Sequence, residues 1–275
     1  MEQTKKNELQ KIATEIRLGV LKSVHAAASG HPGGSLSIAD IMAYLYFEEM
    51  NIDPKNPKWE DRDRFVLSKG HCAPALYATL ALKGYFDEAE LQNLRQTTSF
   101  LQGHPDMKGT AGVDMTTGSL GLGISAACGM ALSAKISNKD YRTYTIVGDG
   151  ESEEGQVWEA CMFAAHYNLD NLCVIFDWNG LQIDGPVAEV MNPTPYDKKL
   201  DAFGFHVISI DGHDLDAIEA ALAEARTVKG KPTAIIAKTV KGKGVSFMEN
   251  QVGWHGSAPN ADQYATAVAE LKATL

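Results

Sequence analysis

The sequence predicts an α/β fold, a doubly wound, mostly parallel sheet with helices on both faces, built by residues 1–275 as a single domain. Two observations carry this. Short runs rich in β-branched and apolar residues alternate with longer segments whose apolar residues recur every three to four positions, and no repeat, low-complexity stretch or linker interrupts them. The centre is plainest: Tyr141–Val147 and Leu172–Asp177 read as strands and Gln156–Tyr167 between them as a helix, a strand–helix–strand unit that implies parallel pairing.

The other elements follow in order. Residues 5–28 place Leu9, Ile12, Ile16, Val20 and Val24 on one stripe and predict a helix, which Ser29-Gly30-His31-Pro32-Gly33-Gly34 breaks. A second helix over Leu36–Glu48, a polar loop, a short strand at Arg64–Ser68 and a helix from Cys72 to Lys83 come next. Small apolar residues from Ile124 through Ala134 suit a tightly packed helix. Phe205–Ile210 and Thr233–Lys238 read as two further strands, flanking a helix that Asp214 can cap.

Composition narrows the function classes. With 25 Lys+Arg against 35 Asp+Glu, a net charge of −10 argues against a general nucleic-acid binder. No apolar run approaches the roughly 18 residues of a membrane span, and Met1–Lys6 lacks an apolar signal core, so the expectation is a cytoplasmic protein without membrane contact. The four cysteines, Cys72, Cys128, Cys161 and Cys173, form no C-x-x-C pair and sit in apolar segments, as packing residues do.

In open parallel sheets ligands bind beyond the carboxyl ends of the strands. Gly148-Asp149-Gly150 follows one central strand and Trp178-Asn179-Gly180-Leu181 the other. The Asp149 carboxylate, the Asn179 carbonyl and a nearby backbone carbonyl make a hard, oxygen-only set suited to Mg2+ or Ca2+, completed by diphosphate oxygens and water. Gly150 lets the backbone approach a phosphate, and a helix beginning near Glu154 aims its positive end at the same region. Gly-Asp-Gly alone is commonly a turn, and Asn-Gly is a common turn pair; their pairing across one unit, 30 residues apart, is what points to a ligand. Two glycine-rich stretches are weaker: Gly118 with Gly121-Leu122-Gly123 lacks the acidic ribose partner of a dinucleotide site, and Lys238-Thr239-Val240-Lys241-Gly242-Lys243-Gly244 lacks the spacing of a phosphate loop.

Gly148-Asp149-Gly150 with Asn179 resembles the thiamine diphosphate fingerprint, and the remaining motifs resemble the transketolase family in its order: Ser29–Gly34, Ser68-Lys69-Gly70-His71, Gly103-His104-Pro105, Thr116–Gly123 and Trp254-His255-Gly256. They match the first, diphosphate-binding portion of that family, so the chain resembles the N-terminal subunit of a split transketolase. The resemblance implies thiamine diphosphate with Mg2+ (Ca2+ or Mn2+ as substitutes) and metal ligation by Asp149, Asn179 and the Leu181 carbonyl. It implies cofactor contacts from His71, Gly118, Leu120, Gly150, Asn179 and His255. His31 and His255 would move protons to and from sugar hydroxyls, and His104 would meet the hydroxymethyl end of the donor, as near-neutral imidazoles can. The implied reaction is two-carbon ketol transfer between sugar phosphates, with the electron sink in the cofactor. Glu154 matches a glutamate linking two active sites across a subunit interface. The activating glutamate and the phosphate clamp would lie on a C-terminal, pyrimidine-binding partner in an α2β2 assembly. The identity of the sugars, pentose phosphates or modified ones, stays open. So do two rivals, one being a subunit of a synthase or 2-oxoacid dehydrogenase and the other a noncatalytic assembly partner; a nicotinamide dehydrogenase is the third rival. The remaining histidines, His25, His166, His206 and His213, read as structural.

Overall fold

The computed structural model describes residues 1–275. In chain order it forms α1 (Gln3–Ala26), α2 (Pro32–Leu36), α3 (Ala39–Tyr44), β1 (Arg64–Leu67), α4 (Ala73–Lys83), α5 (Leu122–Ile136), β2 (Thr143–Gly148), α6 (Gly155–His166), β3 (Leu172–Trp178), β4 (Leu181–Gln182), β5 (Gly185–Pro186), α7 (Val187–Val190), α8 (Tyr196–Ala202), β6 (His206–Asp211), α9 (Leu215–Thr227), β7 (Thr233–Lys238) and α10 (Ala261–Lys272). Five strands pair in parallel in the order β1-β2-β3-β7-β6, and β4 and β5 form a small antiparallel hairpin.

Alternation along the strands splits the interior into two cores. Phe65, Leu67, Tyr144, Ile146, Cys173, Ile175 and Ile235 face α1, α3, α4, α9 and α10, while Val66, Val147, Val174, Phe176, Ala234 and Ile236 face α5, α6 and α8. The doubly wound reading therefore holds, with helices on both faces. The buried stripe of α1 is the one its periodicity predicts, and Gly19 lets α4 approach: a Cβ there would lie 2.8 Å from that of Ala78. All four cysteines are free and buried, and no helix is long and apolar enough to cross a membrane.

Several boundaries differ from expectation for identifiable reasons. The segment predicted as one helix over Leu36–Glu48 is the last residue of α2 followed by α3 and a wide π turn at Leu45–Glu49, and α2 itself begins at Pro32, inside the stretch read as a break. The Ser35 hydroxyl bonds the His31 carbonyl (2.7 Å) and the Ser37 hydroxyl that of Gly34 (3.0 Å), side-chain bonds that compete with a continuous helix. Tyr141 falls outside β2, since the Arg142 N–H is taken by Asp63 Oδ1 at 2.7 Å instead of a sheet partner. The hairpin, α8 and α10 go unread in the strand-and-helix pattern, although Asn260 and Gln263 form a reciprocal capping box at the start of α10. Asp214 caps α9 as expected, accepting from the Asp216 N–H.

Candidate active site

The carboxyl ends of β1, β2, β3 and β7 open on one cavity of about 300 Å3, lined among others by His31, His71, Gly118, Leu120, Asp149, Gly150, Asn179, Leu181 and His255. The oxygen donors meet there. Asp149, buried just after β2, accepts the Gly150 N–H (2.9 Å) on one oxygen and the Gly180 N–H (2.5 Å) on the other, which locks the two strand-end turns together. Asn179 accepts the Leu181 N–H on its side-chain oxygen (3.1 Å) and donates its amide to Asp177 (3.0 Å). The Leu181 carbonyl accepts from Lys241 Nζ at 3.2 Å. No group of three His, Cys, Asp or Glu side chains could hold a metal ion. A cation here would rely on one carboxylate plus amide and carbonyl oxygens, a hard donor set of the kind Mg2+ or Ca2+ takes. Burial, then the charge of Asp177, pushes the Asp149 carboxyl up to about 7, the situation a bound cation would reverse.

Three of the predicted histidines converge. The rings of His31 and His71 are 5.2 Å apart, those of His71 and His255 5.2 Å, and those of His31 and His255 5.5 Å. Burial is the main cause that lowers all three, His31 and His71 to about 4 and His255 to about 3. The next cause in each case, coupling to the ionisable His71 at His31 and the charges of Lys69 at His71 and Lys241 at His255, acts in the same direction. At neutral pH each ring is uncharged and able to accept a proton. Nδ1 of His31 and Nδ1 of His255 are buried without any partner, polar atoms left over for a ligand.

His104 stands apart at the rim, outside the cavity lining, with its ring against Gly118: a Cβ on that glycine would lie 3.4 Å from it. Partial burial, then Arg95, lowers its pKa. The buried Tyr77 hydroxyl donates to the carbonyls of His104 and Gln102, both at 2.9 Å, and so fixes the rim loop from below. At Gly150 the backbone is not left-handed (φ −61°); what demands a glycine is crowding, a Cβ there falling 2.9 Å from that of Gln182. Glu154 is exposed, the residue before α6, and its side chain makes no capping bond.

Sequence reasoning missed the cations and carboxylates beneath these residues. Asp177, wholly buried at the end of β3, takes Lys69 Nζ (2.6 Å), the Ser37 hydroxyl (2.8 Å), the Asn179 amide and the Thr239 hydroxyl. Lys69 also donates to the Gly34 carbonyl (2.8 Å), joining β1, β3 and the loop after His31. Lys241 is buried at the cavity wall. The available signal was a charged residue closing an otherwise apolar strand, and lysines inside two motifs quoted for their histidines and glycines.

The remaining histidines lie outside this cavity. His25 stacks on Tyr264 (4.3 Å), His206 pairs with Glu224, and His166 is exposed at the end of α6. His213 borders a larger, more open cleft of about 620 Å3 along β6 and β7, where it donates from Nδ1 to Asp40 (2.7 Å) and accepts the Val240 N–H on Nε2 (2.9 Å).

At the ends of a parallel sheet, where such folds bind their ligands, the chain thus presents a glycine-framed carboxylate, an asparagine and a cluster of uncharged histidines. The family described as "Transketolase, thiamine diphosphate binding domain" matches residues 8–274, and the chain belongs to it. It is 49% identical over 265 residues to 6-deoxy-6-sulfo-D-fructose transketolase subunit SqwG of a Clostridium species, covering 96% of each chain. It is 42% identical to one of the subunits of the apulose-4-phosphate transketolase of Phocaeicola vulgatus, covering 96% of this chain and 93% of that one. Among solved structures, transketolase from Leishmania mexicana superposes with a TM-score of 0.91 at 36% identity over 96% of this chain. The chain spans only 41% of that protein and 40% of human transketolase, with which it shares 46% identity.

Proposed function

We propose that this chain is the diphosphate-binding subunit of a two-subunit transketolase that moves a two-carbon ketol unit from a ketose phosphate to an aldose phosphate. The observation that carries the reading is the convergence of three neutral histidines and an oxygen-only donor set on one cavity, in a chain that matches transketolase subunits nearly end to end. That match, and the full set of histidines, favour it over the synthase, dehydrogenase and noncatalytic alternatives.

Asp149, Asn179 and the Leu181 carbonyl would hold Mg2+, with Ca2+ or Mn2+ as substitutes. His71, Lys241, His255 and the Gly150 backbone line the space for a diphosphate, and Gly118 and Leu120 that for the ring and its linker. When bound, thiamine diphosphate supplies an electron sink for breaking and making the carbon–carbon bond beside a ketone. His31 and His255, uncharged and with free buried nitrogens, accept protons from sugar hydroxyls and return them. His104, steadied by Tyr77, meets the hydroxymethyl end of the donor.

The partner is a chain with the pyrimidine-binding domain, assembled as α2β2, with Glu154 and the loops bearing His31 and Gly118 facing it. Purifying this chain alone and together with such a companion, then assaying ketol transfer and measuring mass, tests the reading. Activity confined to the mixture, at the mass of two copies of each, is expected. Full activity from this chain alone would overturn the division of the site between two chains.

A further inference from the structure

Glu151 is a buried carboxylate lining the cavity, and it has no cation partner. Three donors surround it instead. Oε1 accepts the Ser68 hydroxyl (2.6 Å) and the Gly121 N–H (2.9 Å), and Oε2 accepts the Gly148 N–H (3.0 Å). The Ser68 oxygen in turn accepts the Ile124 N–H at 3.1 Å. These donors belong to three separate segments: the end of β1 leading to His71, the turn that closes the Gly118–Leu120 loop and opens α5, and the end of β2 just before Asp149. Their fit is close. A Cβ on Gly123 would fall 2.5 Å from the Ser68 Cα, and Gly121 has φ +83°, so the loop can follow this path only with glycine at these positions.

We infer that Glu151 is a positioning residue for the cofactor, the pin that sets the Gly118–Leu120 loop and His71 in register with Asp149. The inference rests on the thiamine diphosphate reading above and adds a residue that makes no contact with the reacting atoms. A carboxylate is required because every group around it donates. Two of the three donors are backbone N–H groups that cannot rotate away, so an amide in its place must turn its own N–H2 toward at least one of them.

The test is calorimetric titration of thiamine diphosphate with Mg2+ into the full chain assembled with its partner subunit, alongside melting of the same cofactor-free assembly. Glu151→Gln is expected to weaken cofactor affinity about tenfold and to shrink the rise in melting temperature that the cofactor produces. Turnover at saturating cofactor should change much less. Ser68→Ala, which removes one of the three bonds, should shift affinity in the same direction by less. A melting temperature lowered in the cofactor-free state with affinity unchanged would make Glu151 merely structural and overturn the inference. If Glu151→Gln fails to assemble, Ser68→Ala decides, and wild-type affinity there overturns it as well. A wild-type assembly that binds no thiamine diphosphate would instead overturn the underlying reading.

Discussion

Lys69 Nζ lies 2.6 Å from Asp177 Oδ2, and both side chains are sealed from solvent, at 2% and 0% exposure. This ion pair joins the end of β1 to β3 at the cavity wall, and Asp177 holds the Asn179 amide in place. Lys69 keeps its proton and Asp177 stays ionised because each offsets the other's burial. Removing one partner leaves a buried charge. Lys69→Met should therefore cost about 3–5 kcal/mol in urea unfolding, and Lys69→Met with Asp177→Asn should recover part of it. A loss under about 1 kcal/mol would mean that water reaches the pair.

Asp149→Ala removes the carboxylate of the proposed cation site together with the bonds joining the two strand-end turns. Cofactor affinity in the presence of Mg2+ should fall far more than in His166→Ala, whose side chain is exposed at the far end of α6. Equal affinities by calorimetry would remove Asp149 from the site.

The histidine cluster sets a sign for pH dependence. An unfolded histidine titrates near 6.5, whereas His31 and His71 do so at about 4 and His255 at about 3 in the folded chain. Between these values the unfolded chain binds more protons, so this contribution is fully present above the unfolded value and is lost as pH falls toward the folded ones. Asp149, held at about 7, acts oppositely. Comparison with a variant carrying His31→Asn, His71→Asn and His255→Asn isolates the histidines: from pH 6.5 down to 4 the cofactor-free wild type should lose more stability than the variant. Parallel curves would show that these rings are already solvated.

Three of the loop histidines should also separate kinetically. His104→Ala, at the rim, should raise KM for the ketose donor above all, whereas His31→Ala or His255→Ala should lower kcat. Wild-type rates for all three in the reconstituted enzyme would reduce them to loop residues.

The sheet and the site were unequally legible. Strands buried on both faces wrote continuous apolar runs, which is why β2, β3 and β7 were found within two residues. Asp149 and Asn179 stood out because short oxygen-bearing turns follow those runs directly. Lys69, Asp177 and Glu151 did not, since their role depends on partners 35 to 140 residues away that only the folded sheet brings together. The cluster of His31, His71 and His255 was implied by resemblance, but its neutrality is a product of burial that no spacing encodes. The interruption between α2 and α3 was hidden because Ser35 and Ser37 fit a helical pattern while their hydroxyls bond against it.

Substrate choice should follow the partner more than this chain. The cavity holds two buried lysines, but Lys69 is committed to Asp177 and Lys241 stands at the proposed diphosphate end, so neither is free for a sugar phosphate. The groups proposed to meet the sugar, His31, His104 and His255, recognise hydroxyls at the end common to ketose donors and are uncharged at neutral pH. On the proposed function, an anionic group at the other end of the sugar is read by the partner's pyrimidine-binding domain. The two subunit relatives carry differently substituted sugars in their names, 6-deoxy-6-sulfo-D-fructose and apulose-4-phosphate, yet resemble this chain at 49% and 42% identity over nearly its full length. Pairing this subunit with pyrimidine-domain partners of different sugar preference should move the ratio of kcat/KM values between sulfonated and phosphorylated donors with the partner. Ratios that stay with this chain across partners that assemble would place the discriminating contacts on this subunit, with the exposed Arg95 beside His104 the first residue to examine.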